Sequence, residues 1–132
     1  MIKTLYFMFF VCAFTMGMWA CSTSADEKFK NLSADEFEQL IRDEAVQCVD
    51  VRTVAEYSEG HIPGSLHINV LDERFAADAD ELLDKQRPVA VYCKSGRRSR
   101  NAARLLVKKG YQVYNLDTGF QGWKELGKEV AF

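Results

Sequence analysis

A chain of 132 residues, 48% apolar and 27% charged, has room for one folded domain around one core. Its formal net charge of −2 argues against general nucleic-acid binding. Four cysteines without a Cys-x-x-Cys spacing, beside only two histidines, give no metal-ligand pattern, so neither a metal nor a cofactor is expected.

The first segment reads as an address. Lys3 is followed by seventeen uncharged residues and then Cys21. This is a short basic start with an apolar stretch of signal-peptide length, and Leu5 to Ala20 is too short for a comfortable membrane span. Ala20 directly before Cys21 resembles the end of a bacterial lipoprotein signal, although Met18 and Trp19 depart from the usual residues. The expectation is a signal over 1–20, Cys21 lipidated as the new N-terminus, a small polar tether over 21–28, and a folded domain over 29–132. That places the domain at the bacterial cell envelope, on the periplasmic or outer-membrane face. An ordinary cleaved signal and an uncleaved anchor are the alternatives. With Cys12 removed and Cys21 acylated, only Cys48 and Cys93 remain as thiols, in an oxidising compartment.

Phe29 to Leu32 reads as a short strand. Ser33-Ala-Asp-Glu36 fits a capping box, with Phe37, Leu40 and Ile41 following at helical spacing. Residues 46–52 (VQCVDVR) read as a strand buried on both faces. Thr53 to Glu59 reads as a short helix closed by Gly60, and 61–65 (HIPGS) as a turn. Residues 65–70 predict a second buried strand, and Asp72 to Lys85 a helix with Phe75, Ala79, Leu82 and Leu83 inward. A third buried strand spans 88–93. A helix follows from Arg98 to Lys109, then a strand over 111–116 and a helical turn or two from Phe120 to Leu126. Strands alternating with helices imply βαβ units: a three-layer α/β/α domain with a central, mostly parallel sheet of about five strands.

In such sheets a ligand sits at the carboxyl ends of the strands, and Cys93 occupies one of them. Between Pro88 and Leu116 the chain has seven cations and no acid. Arg104, Lys108 and Lys109 fit a solvated helix face. Lys94, Arg97 and Arg98, next to Cys93, fit a site for a small anion. A thiol acts as nucleophile only when ionised, and with an ordinary pKa only about 3% is thiolate at pH 7. The Lys94 to Ser99 loop can turn its amides inward, with Gly96 allowing the curl, and the next helix adds the positive end of its dipole. The dipole alone is worth less than one pKa unit, so several amides and nearby cations must add to it. Ser99 is placed to cap that helix or to donate to the sulfur. Cys48, in mid-strand, reads as an inert buried thiol, and no bridge between Cys48 and Cys93 is expected.

Residues 50–69 (DVRTVAEYSEGHIPGSLHIN), 93–99 (CKSGRRS) and 110–123 (GYQVYNLDTGFQGW) resemble three signatures of the rhodanese-like domains. The third departs from the pattern at Thr118-Gly119, where the family often has two glycines, which leaves the turn before Phe120 open. The resemblance implies a sulfurtransferase. Cys93 would take the outer sulfur of thiosulfate or a persulfide donor, become a persulfide, and pass the sulfur to a thiol or cyanide. Lys94, Ser95, Gly96, Arg97, Arg98 and Ser99 would bind the substrate. Asp50, Arg52 and Glu56 would support the loop from behind, with Arg52 pairing Glu56, and His61 would fix a turn rather than act as a base. The implied partners are a small anionic donor and a thiophilic acceptor, the membrane through a lipid anchor, and no nucleic acid; the chain is expected to be a monomer.

Other classes compete. Cysteine phosphatases use a CX5R loop whose arginine grips phosphate bidentately, but Ser99 stands at that arginine position. A binding module without chemistry is less consistent with an intact cysteine loop. A sulfur-relay role at the envelope shares the persulfide and stays open.

Overall fold

A computed structural model describes residues 28–132. The expected leader and nearly all of the tether lie outside the described residues. Five strands, β1 (Lys30–Leu32), β2 (Gln47–Asp50), β3 (Leu66–His67), β4 (Val89–Tyr92) and β5 (Val113–Leu116), form one sheet in the order β1-β5-β4-β2-β3. Every pairing between these strands is parallel. Five helices connect or follow them: α1 (Ala34–Ile41), α2 (Val54–Glu59), α3 (Phe75–Leu82), α4 (Arg97–Lys108) and α5 (Gly119–Glu125). The three-layer architecture expected from the alternation of elements is the one observed.

Side-chain alternation along the strands divides the core. Val49, Val89, Val91, Cys93 and Val113 face α3 and α4, where Phe75, Ala79, Ala102, Ala103 and Leu106 cover them. Cys48, Ala90, Tyr92 and Leu116 face the other way, against Phe37 of α1 and Phe120 and Trp123 of α5. Trp123 meets Phe37 edge-on at 6.4 Å between ring centroids, which makes it a core residue. The two cysteines of the described domain therefore lie on opposite faces of the sheet, both as free thiols.

Local signals explain most element boundaries. Ser33 and Glu36 form the expected capping box, and Thr53 and Glu56 form a second at the start of α2. Several expectations need correction. The strand expected over 65–70 is a two-residue edge strand paired only to β2, and Leu66 is exposed. Asn69 ends that stretch by accepting from the Leu71 amide through its side chain, at 3.0 Å. The helix expected from Asp72 starts at Phe75, because the Asp72 carboxylate holds the Arg74 amide at 2.9 Å in a turn. Its Leu82 is 51% exposed rather than inward, while Leu83, just past the helix, is buried. Strand β2 stops at Asp50, because that carboxylate takes the Arg52 amide at 2.9 Å.

Candidate active site

Strand β4 ends at Tyr92 and delivers Cys93 to the carboxyl edge of the sheet, on the α4 side. The cysteine is 1% exposed, yet polar groups converge on its sulfur. The Gly96 amide donates to Sγ at 3.1 Å, and the amides of Ser95 and Ser99 also act on it. The Ser99 hydroxyl carries one proton and reaches two acceptors, the sulfur and the Gly96 carbonyl at 3.1 Å. Burial pushes the thiol pKa up, but the hydroxyl and the three amides outweigh it and the net direction is down.

The amides face inward because the carbonyls are held outward. At the start of α5, the Phe120 amide donates to the Cys93 carbonyl at 2.7 Å and the Gln121 amide to the Lys94 carbonyl at 3.0 Å. The N–H and C=O of a trans peptide point in opposite directions. Fixing the Lys94 carbonyl on α5 therefore turns the Ser95 amide away from α5. This contact also settles the turn left open at Thr118-Gly119. Thr118 has φ −88°, which suits any residue. The left-handed position is Gly119 at φ 65°, and a Cβ there would strike the Lys94 carbonyl. Gly96, at φ 96°, is the N-cap of α4, so the helix begins at Arg97. Ser99 is consequently inside its first turn and does not cap it.

The cationic residues divide into two sets. Arg98 grips Glu56 bidentately, with Nη1–Oε1 at 2.7 Å and Nη2–Oε2 at 2.9 Å. The guanidinium of Arg98, with help from Thr53, holds the Glu56 carboxyl at about 2. Lys94 and Arg97 are exposed and make no ion pair among the described residues. The expected pairing of Arg52 with Glu56 is not formed. Arg52 instead binds Asp50, with Nη2–Oδ2 at 2.6 Å and Nε 3.0 Å from both oxygens, and donates to the Gly60 carbonyl at 2.7 Å. Asp50, at the end of β2 two residues earlier, takes the Arg52 guanidinium in a buried pair, while Glu56 is held by Arg98. The Arg52 plane also lies 4.3 Å from the Phe120 ring centroid.

His61 serves a turn. Its Nδ1 sits 2.9 Å from the Tyr57 carbonyl and its ring stacks on Tyr57 at 3.9 Å. Facing a carbonyl, Nδ1 carries the proton. Cys48 is buried on the opposite face, where burial and the Asp50 charge push its thiol pKa up. Beside the loop lies a cleft of about 490 Å³, lined in part by Arg52, Glu56, Lys94 and Phe120. The C-terminal residues Val130 and Phe132 also line it, and no sequence signal had pointed to them.

The chain matches a known family. The rhodanese-like domain model matches residues 33–126, and the chain belongs to that family. A thiosulfate sulfurtransferase GlpE from Shewanella oneidensis is 38% identical over 98 residues, covering 74% of this chain and 94% of that protein. One of the same name from Pseudomonas aeruginosa is 34% identical over 101 residues, covering 76% of this chain and 88% of that protein. Among solved structures, a rhodanese-related protein from Thermoplasma volcanium superposes with a TM-score of 0.69 at 27% identity, covering 78% of this chain and 98% of that one.

Proposed function

We propose that the chain is a thiosulfate sulfurtransferase that carries sulfur as a persulfide on Cys93. The Cys93 thiolate attacks the outer sulfur of the donor. The S–S bond of thiosulfate breaks and sulfite leaves with the electron pair. A thiolate or cyanide then attacks the outer sulfur of the persulfide, and the pair returns to Sγ. Two half-reactions through one covalent intermediate give ping-pong kinetics. The amides of Ser95, Gly96 and Ser99 hold the negative charge in both the thiolate and the persulfide. Lys94 and Arg97 attract the dianionic donor. Arg98, tied to Glu56, braces the loop together with the Asp50–Arg52 pair; these four are positioning residues.

The observation that carries this reading is the bond from the Gly96 amide to Sγ at 3.1 Å, in a loop that lowers the thiol pKa. The deciding experiment is intact mass spectrometry of the domain after incubation with thiosulfate. One added sulfur is expected on the wild type and none on Cys93→Ser, which should also lose turnover while melting normally. Unmodified wild type, or a Cys93→Ser variant that still turns over, would remove Cys93 from the reaction. The leader adds a location to the proposal: Cys21 is lipidated and tethers the domain to a membrane of the bacterial envelope. The sulfur relay remains within the same chemistry, as a persulfide filled by a protein donor.

A further inference from the structure

The segment after α5 lies outside the family match, which ends at residue 126. It has no regular structure, yet it is fastened at successive residues. The Lys128 amide donates to the Trp123 carbonyl at 3.3 Å, and its ammonium pairs with Asp35 at 2.8 Å and Glu38 at 3.1 Å. The Glu129 carbonyl accepts from the Trp123 indole at 2.8 Å. Ala131 and His61 exchange two backbone bonds, at 2.9 and 2.8 Å. The result is that Val130 and Phe132 are laid across Gly60, where a Cβ would come within 3.1 Å of Val130 Cγ1 and 3.6 Å of Phe132 Cε1. Phe132 is nonetheless 90% exposed, with its ring on the cleft beside the Cys93 loop. A single exposed phenylalanine is ordinary; one held by a pinned backbone on a cleft that also takes in Lys94, the residue after Cys93, is a surface available to a ligand.

The rest of the cleft defines the ligand. Its volume, about 490 Å³, is in the range of roughly 300 to 1,000 Å³ typical of sites for small organic molecules and far exceeds what an inorganic dianion needs. Val130 and Phe132 supply the apolar surface, beside a buried Phe120 whose ring carries Arg52 at 4.3 Å and Lys124 at 5.1 Å. Lys94 and Lys124 contribute two ammonium groups with no ion pair among the described residues. Of the charged side chains beside them, Arg52 is neutralised by Asp50 and Glu56 by Arg98, which leaves Glu59 as the one carboxylate side chain of the cleft without an ion pair among the described residues.

We infer that this cleft selects the acceptor: an organic thiol with an apolar body and an anionic group, and that Val130 and Phe132 are specificity-determining residues. This rests on the Cys93 persulfide reading. The thiolate attacks the outer sulfur of the persulfide, the S–S bond to Sγ breaks with its electron pair returning to Sγ, and the acceptor leaves as its own persulfide. The thiol proton has already gone to solvent. The apolar body lies on Val130 and Phe132 while Lys94 and Lys124 take the anion.

The test compares α-mercaptohydrocinnamate, which carries a phenyl group, with 2-mercaptopropionate, which has the same secondary thiol and carboxylate but a methyl group in place of the benzyl group. Wild type should favour the phenyl thiol in kcat/KM. In Phe132→Ala and in Val130→Ser that preference should fall by about fivefold, since the lost contact is partial burial of one apolar side chain. Binding of the unreactive S-methyl ether of the phenyl thiol, measured by calorimetry on the unloaded protein, should weaken by a similar factor. No preference in wild type, or a preference and an S-methyl ether affinity the same in wild type and both variants, would overturn the assignment and point to another occupant. Lys124→Gln should narrow the preference for the ether's carboxylate over its primary amide; equal binding of the two by wild type removes the anionic half of the ligand. A wild type that takes up no sulfur from thiosulfate would instead sink the persulfide reading, and the ether affinities would still decide whether the cleft holds this ligand.

Discussion

Cys48 and Cys93 are the same side chain under nearly the same burial, at 8% and 1% exposure, with opposite acidity. Around Cys48 nothing offsets the cost of a buried charge, and the Asp50 carboxylate adds to it. Around Cys93 three amides and a hydroxyl do offset it. The consequence is measurable. Alkylation of Cys93 by iodoacetamide should follow thiolate formation and reach half its maximal rate at a pH below the ordinary thiol value of about 8.5. Ser99→Ala removes the hydroxyl and should move that midpoint upward; a midpoint unchanged in the variant means the hydroxyl serves only the Gly96 carbonyl. The contrast between the two cysteines was legible in the sequence, because the groups that lower Cys93 all lie within six residues of it. The fate of Arg98 was not. Its partner Glu56 is 42 residues away, and only the folded sheet brings α2 beside α4.

At the level of elements, that ion pair joins a helix with no buried residues to the first turn of α4, next to the Cys93 loop. The other side-chain attachments of α2 run through Tyr57, whose hydroxyl donates to the Ser65 carbonyl at 3.1 Å, whose carbonyl meets His61 Nδ1 at 2.9 Å, and whose ring stacks on His61 and lies 5.0 Å from that of His67. Glu56→Gln should therefore lower the melting temperature by a few degrees near neutral pH, or about 1 kcal/mol for a part-buried bidentate pair. The pH dependence has a fixed sign. Arg98 depresses the Glu56 carboxyl in the folded state to about 2. The stabilisation is complete above the unfolded carboxylate value of about 4.3 and is lost as pH falls toward the folded one. The difference between wild type and variant should then be flat above about pH 5 and vanish on further acidification. A difference that persists at the acid end would mean that lost packing, not charge, is responsible. α5 plays the complementary part, because its first amides hold the loop carbonyls. Its start at Thr118-Gly119 could not be settled from sequence, since the deciding contact is with Lys94, 25 residues earlier.

For the whole molecule, the layer architecture followed from the alternation of short apolar runs with helical periods. The strand order β1-β5-β4-β2-β3 did not, because β1 and β5, at opposite ends of the described chain, pair through contacts with no local signature. The edge position of β3 was equally hidden: its residues are apolar enough for a buried strand, and only its place in the order exposes Leu66. The clasp formed by residues 128–131 was missed for the same reason, since its partners are His61, Trp123 and α1. The proposed leader carries the remaining prediction at this scale. Cys21→Ala in the full chain should move the protein from the membrane fraction to the soluble one, read by fractionation and immunoblotting. An unchanged distribution would refute anchoring by lipid at that residue.

The placement of Cys48 and Cys93 on opposite faces of one sheet has a consequence for how long the proposed persulfide would survive. A persulfide beside a second thiol discharges itself: the neighbour attacks the inner sulfur, a disulfide closes, and hydrosulfide is lost. Here β4 and its neighbours stand between the two sulfurs, and among the described residues no other thiol exists. The sheet works as an insulator, so a persulfide formed on Cys93 as proposed would have no route to Cys48 and would wait for an encounter with another molecule.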